Sequence, residues 1–318
     1  MIEPPQGFSG VIRVDRDGET VLAKAYGLAH RGHGVANTVD TRFAIASGTK
    51  GLTAVTVLSL IADGKLSLST TARSVLGDDL PLIADDVTVE HLVSNRSGIG
   101  DYYDEEAEEE PVFNVALLDT TESYVPILDG YPTKFAAGTD FSYCNGGFVV
   151  LALIAERVSG VPFHDLVRER VCAPAGMHDT EFLRSDEPLG RMATGYVSEN
   201  RSNLFDLPVR GSGDGGIYTT VADFHAFWQA LFAGKLIPDV AEVMRPRTPE
   251  TKHGKAGYAL GFWRHRDDVV MLQGGDPGVS FRSVHDPARG ITHTVVSNTY
   301  EGAWPTARQL EEEFATGP

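Results

Sequence analysis

Cysteine is almost missing from this sequence: Cys144 and Cys172 are the only two among 318 residues. Neither belongs to a C-x-x-C pair, and two thiols cannot build a disulfide framework, so both read as free thiols. Basic residues are also scarce. The chain carries 27 Lys and Arg against 44 Asp and Glu, a net charge of −17. Such a surface repels phosphate over most of its area, which argues against nucleic acid or an anionic membrane as partner. No apolar run approaches the roughly 18 residues that cross a bilayer, so no membrane span is expected. Residues 1–7 lack the basic start and apolar core of a secretory leader. The expected compartment is the cytoplasm if the chain is whole, and the exterior if a leader has been removed. The ten histidines include no H-E-x-x-H and no other close ligand pair on a helical face, so no metal or other cofactor is expected.

What is present suits a globular protein: 42% hydrophobic residues, 34 glycines and 17 prolines. At 318 residues the chain exceeds one typical domain and can bury a sizeable core. Residues 8–14 and 20–27 are β-rich and separated by Asp17-Gly18, a strong hairpin signal. Strand character returns at residues 259–263, 269–272, 279–284 and 291–297, with short turns between. Helical patterns occupy the middle, including residues 148–158 and a helix capped by Thr220 with Asp223 three residues on. These patterns predict a mixed α+β fold, with one antiparallel sheet built from both ends of the chain and flanked by helices. Residues 1–75 and 212–318 are expected to form the sheet-containing domain and residues 76–211 an inserted, mainly helical one.

The chemistry centres on Phe43-Ala44-Ile45-Ala46-Ser47-Gly48-Thr49-Lys50. A spacing of three on a helix puts Ser47 and Lys50 on one face, one turn apart. A serine hydroxyl is a poor nucleophile until a neighbouring base takes its proton, and a lysine can do so only when burial or a nearby cation lowers its pKa. Residues 51–62 are apolar on nearly every face, which predicts an enclosed helix ending near Asp63-Gly64. Taken alone, the pair reads better as an N-cap serine beside a solvated lysine. The glycine loop at residues 211–216 lacks the Gly-Lys-Ser/Thr ending of a phosphate cradle and is expected to be a structural turn beside the site. The acidic run at residues 104–110 reads as a solvated helical face or mobile loop; its functional reading is a lid screening for uncharged or cationic substrates.

Three segments in order carry a resemblance. Ser47-Gly48-Thr49-Lys50 matches S-x-x-K, Tyr143-Cys144-Asn145 matches Y-x-N, and Gln273-Gly274-Gly275 falls where K-T-G or H-x-G is expected. The chain resembles the serine β-lactamase and penicillin-binding-protein superfamily, in the branch holding class C β-lactamases, D-alanyl-D-alanine carboxypeptidases and related esterases. The resemblance runs from about residue 8 to the C-terminus. It implies acyl transfer in two steps, with Ser47 as nucleophile, Lys50 and Tyr143 sharing the proton handling, and water releasing the acyl group. It implies further that the backbone N–H groups of Ser47 and Asp276 form the oxyanion hole. Asn145, Gln273, Gly274 and Gly275 would meet the substrate.

Where the family has Lys or His to hold a substrate carboxylate, Gln273 offers an uncharged amide, and Asp276 beside it disfavours an anion. Both departures favour a small ester or amide over a penicillin. Asn95 replaces a histidine common in relatives, and the helix that usually precedes the first strand is expected to be trimmed or absent. The leading expectation is therefore an esterase or amidase. The alternatives are a β-lactamase or D-alanyl-D-alanine carboxypeptidase, and a slow-deacylating protein that binds or senses β-lactams or peptidoglycan fragments.

Overall fold

The expected hairpin forms from β1 (Gly10–Arg16) and β2 (Glu19–Tyr26). Asp17 and Gly18 turn it with φ of 52° and 83°, the two left-handed residues that a type I′ turn requires. The structure is a computed structural model in which residues 3–104, 113–187, 190–248, 257–266 and 268–316 are described. Most of the acidic run, residues 105–110, lies outside them.

Four further strands come from the C-terminal part: β3 (Trp263–Arg266), β4 (Val269–Asp276), β5 (Val279–Asp286) and β6 (Ile291–Ser297). The six lie in the order β2-β1-β6-β5-β4-β3, every neighbouring pair antiparallel. The two chain ends meet where β1 pairs with β6, from Gly10 opposite Ser297 to Arg16 opposite Ile291. Residues 259–262, expected to be strand, instead form the tip of a tight turn. The Ala259 N–H bonds the Phe262 carbonyl at 2.8 Å, and Gly261 N–H reaches the Val93 carbonyl at 3.0 Å, so the tip is tied to the helical side rather than to the sheet.

Four long helices organise the packing: α1 (Thr49–Ala62), α2 (Asn145–Ser159), α3 (Val221–Phe232) and α4 (Ala303–Thr316). The Thr220 hydroxyl caps α3 by accepting from Asp223 N–H at 3.1 Å, as expected. Helix α4 was not among the expected elements. Its Ala303, Ala307 and Leu310 recur at helical spacing and pack on Phe8, Ile12, Val14 and Val295 on one sheet face. Alternation along β1 sends Val11 to the other face, into the large core with α1, α2 and α3. There the Phe224 ring of α3 meets Phe281 of β5 at 4.8 Å. Every residue of α1 from Thr49 to Leu60 is buried, so this helix runs through the core with the serine turn at its head. Among the described residues no single helix is long and apolar enough to cross a membrane.

Candidate active site

Ser47 sits in a 3₁₀ turn (Ala46–Gly48) that leads directly into α1. Ala46, before it, has φ of 48°, a conformation that costs a non-glycine residue of order 1 kcal/mol and is held only by its surroundings. Lys50 is the second residue of α1 and only 1% exposed. Its Nζ lies 2.9 Å from Ser47 Oγ, 2.7 Å from Asn145 Oδ1 and 2.7 Å from the Asp214 carbonyl. The reading of a solvated lysine beside an N-cap is excluded by this burial.

The glycine loop is the expected turn, closed by Ser212 and Gly215 through N–H to carbonyl bonds of 3.0 and 3.3 Å, and it also enters the site through the Asp214 carbonyl. Three polar side chains in the first turns of α1 stitch the loop down. Thr53 Oγ1 donates to the Gly213 carbonyl at 2.7 Å, Thr49 Oγ1 accepts from Ile217 N–H at 3.2 Å, and Lys50 takes the carbonyl between them. Gly213 passes so close to α2 that a β-carbon there would lie 2.2 Å from the Phe148 carbonyl oxygen. The legible signal was the cluster of Thr49, Lys50 and Thr53 at the head of a buried helix, since buried polar groups need partners; Thr56 and Ser59 further on find theirs within the helix.

Asn145 is the first residue of α2. Its Nδ2 donates to the Tyr103 carbonyl at 2.8 Å, which turns Oδ1 toward Lys50. Asp101 accepts from Asn145 N–H and Gly146 N–H, each at 2.7 Å, and burial pushes its pKa up to about 6. Asn95 takes a left-handed φ of 57°, which asparagine tolerates better than most residues. Its Oδ1 accepts from Cys144 N–H at 3.1 Å, so this departure from the usual histidine braces the Y-x-N segment. Cys144 is buried and its Sγ accepts from Gly147 N–H at 3.3 Å, while burial raises its thiol well above the usual range. The Tyr143 ring stacks on Trp263 at 5.8 Å and 13°, and Lys50 Nζ lies 4.9 Å from its centroid.

Strand β4 divides the third segment between the two sheet faces. A β-carbon on Gly274 would lie 2.5 Å from Ser47 N, whereas one on Gly275 would meet Trp304 of α4 at 3.1 Å. Gln273 shares the Gly275 face: it pairs with Arg282 across the strands, and its Oε1 accepts from Arg282 Nη2 at 3.0 Å. The expected meeting of Gln273 and Gly275 with substrate therefore needs correction, because both point toward α4 and only Gly274 and Asp276 share the face of Ser47. Asp276, with Ser47 and Asn145, lines an open cleft of about 880 Å³, solvent at its mouth included. Its far wall is apolar, with Phe113, Val115, Leu183, Leu207 and Val209. Asp206, Asp214 and Asp276 bring three carboxylates to it, and its described lining has no lysine or arginine. Asp214 Oδ2 accepts from the buried Tyr102 hydroxyl at 2.6 Å; burial raises the Asp214 pKa. No cluster of metal ligands is present among the described residues.

A family model described as Beta-lactamase matches residues 2–316. The chain belongs to the β-lactamase family. One relative is a D-aminopeptidase of Brucella anthropi, 32% identical over 280 residues, a match covering 85% of this chain and 51% of that protein. A D-aminopeptidase of Brucella ovis is 33% identical over 236 residues, with 43% of its length covered, so this chain spans about half the length of these relatives. The penicillin binding protein from Bacillus halodurans superimposes with a TM-score of 0.89 at 31% identity, covering 96% of each chain. The D-amino acid amidase from Ochrobactrum anthropi SV3 shares the fold, with a TM-score of 0.78 at 23% identity over 98% and 94% of the two chains.

Proposed function

We propose that this chain is a serine hydrolase that forms an acyl-enzyme on Ser47 from a small amide or ester, with preference for one that carries an ammonium group. The observation that carries the catalytic half is the environment of Lys50 Nζ, with Ser47 Oγ, Asn145 Oδ1 and the Asp214 carbonyl all within 2.9 Å. A neutral amine has two N–H bonds and one lone pair. Asn145 and Asp214 offer acceptors for both N–H bonds, which turns the lone pair toward the Ser47 hydroxyl. As Ser47 Oγ attacks the carbonyl carbon, its proton passes to Lys50, and the carbonyl oxygen becomes an oxyanion between the N–H groups of Ser47 and Asp276. Collapse expels the amine or alcohol, protonated through Lys50 and Tyr143, and water then cleaves the ester to release the acid.

The substrate half rests on the charge of the cleft. Arg201 pairs with Asp206 at 2.5 Å and Tyr102 donates to Asp214 at 2.6 Å; Asp276, in a described lining without lysine or arginine, is the carboxylate that favours a cation and penalises the carboxylate of a penicillin or of a peptide C-terminus. The names of the relatives, D-aminopeptidase and D-amino acid amidase, point the same way, since such substrates hold an amine beside the scissile carbonyl. The apolar far wall suits an aliphatic or aromatic side group. The test compares D-phenylalanine amide, its N-acetyl derivative, p-nitrophenyl butyrate and nitrocefin on wild type and Ser47→Ala. Ester or amide turnover that Ser47→Ala abolishes, with thermal stability kept, is the expected result. Turnover retained in Ser47→Ala removes the acyl-enzyme, and nitrocefin turned over above the others removes the substrate assignment.

A further inference from the structure

Asp101 belongs to none of the three motifs, yet its carboxylate underlies the nucleophile's base. It is 5% exposed. Oδ2 accepts from Asn145 N–H at 2.7 Å; Oδ1 accepts from Gly146 N–H at 2.7 Å and from Tyr103 N–H at 3.3 Å. Two of these donors are the leading N–H groups of α2, a position where a carboxylate is favoured by the helix dipole and by otherwise unpaired donors. The third belongs to the residue whose carbonyl holds the Asn145 amide at 2.8 Å. Asp101 thus fixes Asn145 through its backbone and through the orientation of its side chain, and Asn145 Oδ1 is one of the acceptors of Lys50.

We infer that Asp101 is a positioning residue for the Lys50–Ser47 pair, acting through Asn145 and Tyr103; the inference rests on the acyl-enzyme function proposed above. Only the ionised carboxylate offers acceptors alone on both oxygens. The groups around it are Lys50 on α1, Lys134, the Cys144 thiol and the Tyr102 phenol with its partner Asp214. Burial outweighs the cations and the backbone donors and brings its pKa to about 6. The sign of the linkage separates positioning from stability. A carboxyl raised from its ordinary value adds to stability in its protonated form and withdraws that contribution as pH rises through about 6. Asp101 is therefore kept ionised at neutral pH against the stability of the fold.

The test is single-turnover acylation by p-nitrophenyl butyrate, read as the nitrophenol burst and the mass of the adduct between pH 4.5 and 8. Wild type, Asp101→Asn and Gly146→Ala are compared. Wild type should lose acylation rate as pH falls through about 6. Asp101→Asn turns an N–H donor toward a backbone N–H; it should acylate about 10- to 100-fold more slowly, the effect of a misplaced reacting group. Its KM should change less than its acylation rate, since Asp101 itself does not line the cleft, and the inflection near pH 6 should vanish. Gly146→Ala puts a β-carbon 3.2 Å from Asp101 Oδ1 and 3.2 Å from Leu128 Cδ2, a crowding that the gain in helix propensity offsets in stability, and should slow acylation. It stands as the deciding variant if Asp101→Asn does not fold. Wild-type rate in Gly146→Ala together with an unaltered rate or a retained inflection in a folded Asp101→Asn overturns the inference alone. Absence of any adduct on wild type overturns the acyl-enzyme reading and this inference with it.

Discussion

Replacing Gly274 by alanine tests the proposed oxyanion site through one added methyl group. The new β-carbon would lie 2.4 Å from the Ile45 carbonyl oxygen, 2.5 Å from Ser47 N and 2.8 Å from Ala46 Cβ. All three belong to the turn that presents Ser47, two of them to its backbone, so no flexible side chain can swing aside. Ordinary contact distances of about 3.5 Å demand that β4 and the turn separate by about 1 Å. That separation moves the Asp276 N–H, carried on the same strand, away from the place the substrate oxygen must reach. Loss of one oxyanion donor costs about 10²–10³ in rate, or 2.7–4 kcal/mol in the barrier. Gly274→Ala should therefore lower the acylation rate by about that factor with a smaller change in KM. Gly275→Ala is the comparison. Its β-carbon meets the Trp304 and Tyr300 rings at 3.1 Å on the opposite face, and its effect should be at least about tenfold milder, because rings at the far face yield more easily than backbone. The assay is the pre-steady-state burst on p-nitrophenyl butyrate, with melting curves for both variants. A Gly274→Ala enzyme that acylates within threefold of wild type would refute the placement of the oxyanion beside Ser47 N.

Three further outcomes follow from the geometry. Lys50→Ala should lower acylation by about 10²–10⁴, the usual share of a general base, and should not be rescued by raising pH, as stopped-flow bursts between pH 7 and 10 would show. Asp276→Asn should reduce the preference for D-phenylalanine amide over its N-acetyl derivative by about tenfold, the size of one charge-assisted hydrogen bond; an unchanged ratio of kcat/KM values would place the ammonium elsewhere. Burial lowers the pKa of His164 and His285 to about 4 and that of His293 to about 3. Their contribution to stability is complete above the unfolded value near 6.5 and is lost as pH falls toward 4. Urea denaturation from pH 7.5 to 4.5 should show that decline, shallower in His293→Gln by the proton that one histidine would otherwise take up.

Local signals carried the framework of the fold. Asp17-Gly18 specifies a turn by itself, and the cap of α3 is a contact between neighbours in sequence. Helix α4 was overlooked although Ala303, Ala307, Leu310 and Phe314 recur at helical spacing against a polar remainder. At the site, Ser47 and Lys50 were legible because one helical turn separates them. Asp101 and Asp214 were not, since their roles come from contacts across many residues of sequence and, for Asp214, through a backbone carbonyl that any residue type could provide. Gln273 was read on the wrong face. A motif gives order along a strand, but whether a side chain points at α1 or at α4 depends on pleat and register, and those are set by pairing with β5.

The pairing of β1 with β6 has a consequence for how the protein is made. The Ser47 turn is synthesised 226 residues before Gln273 begins the segment that closes the site. At about 5–20 residues per second that interval lasts about 10 to 45 s. Throughout it α1, buried on every side in the finished molecule, lacks the β4 face on which it packs. The nascent chain must pass that time compact without its sheet or shielded by a chaperone. A transcript cut short before β4 would encode a chain with its nucleophile and none of its oxyanion strand, so it should accumulate as aggregate or be degraded and should supply no partial activity.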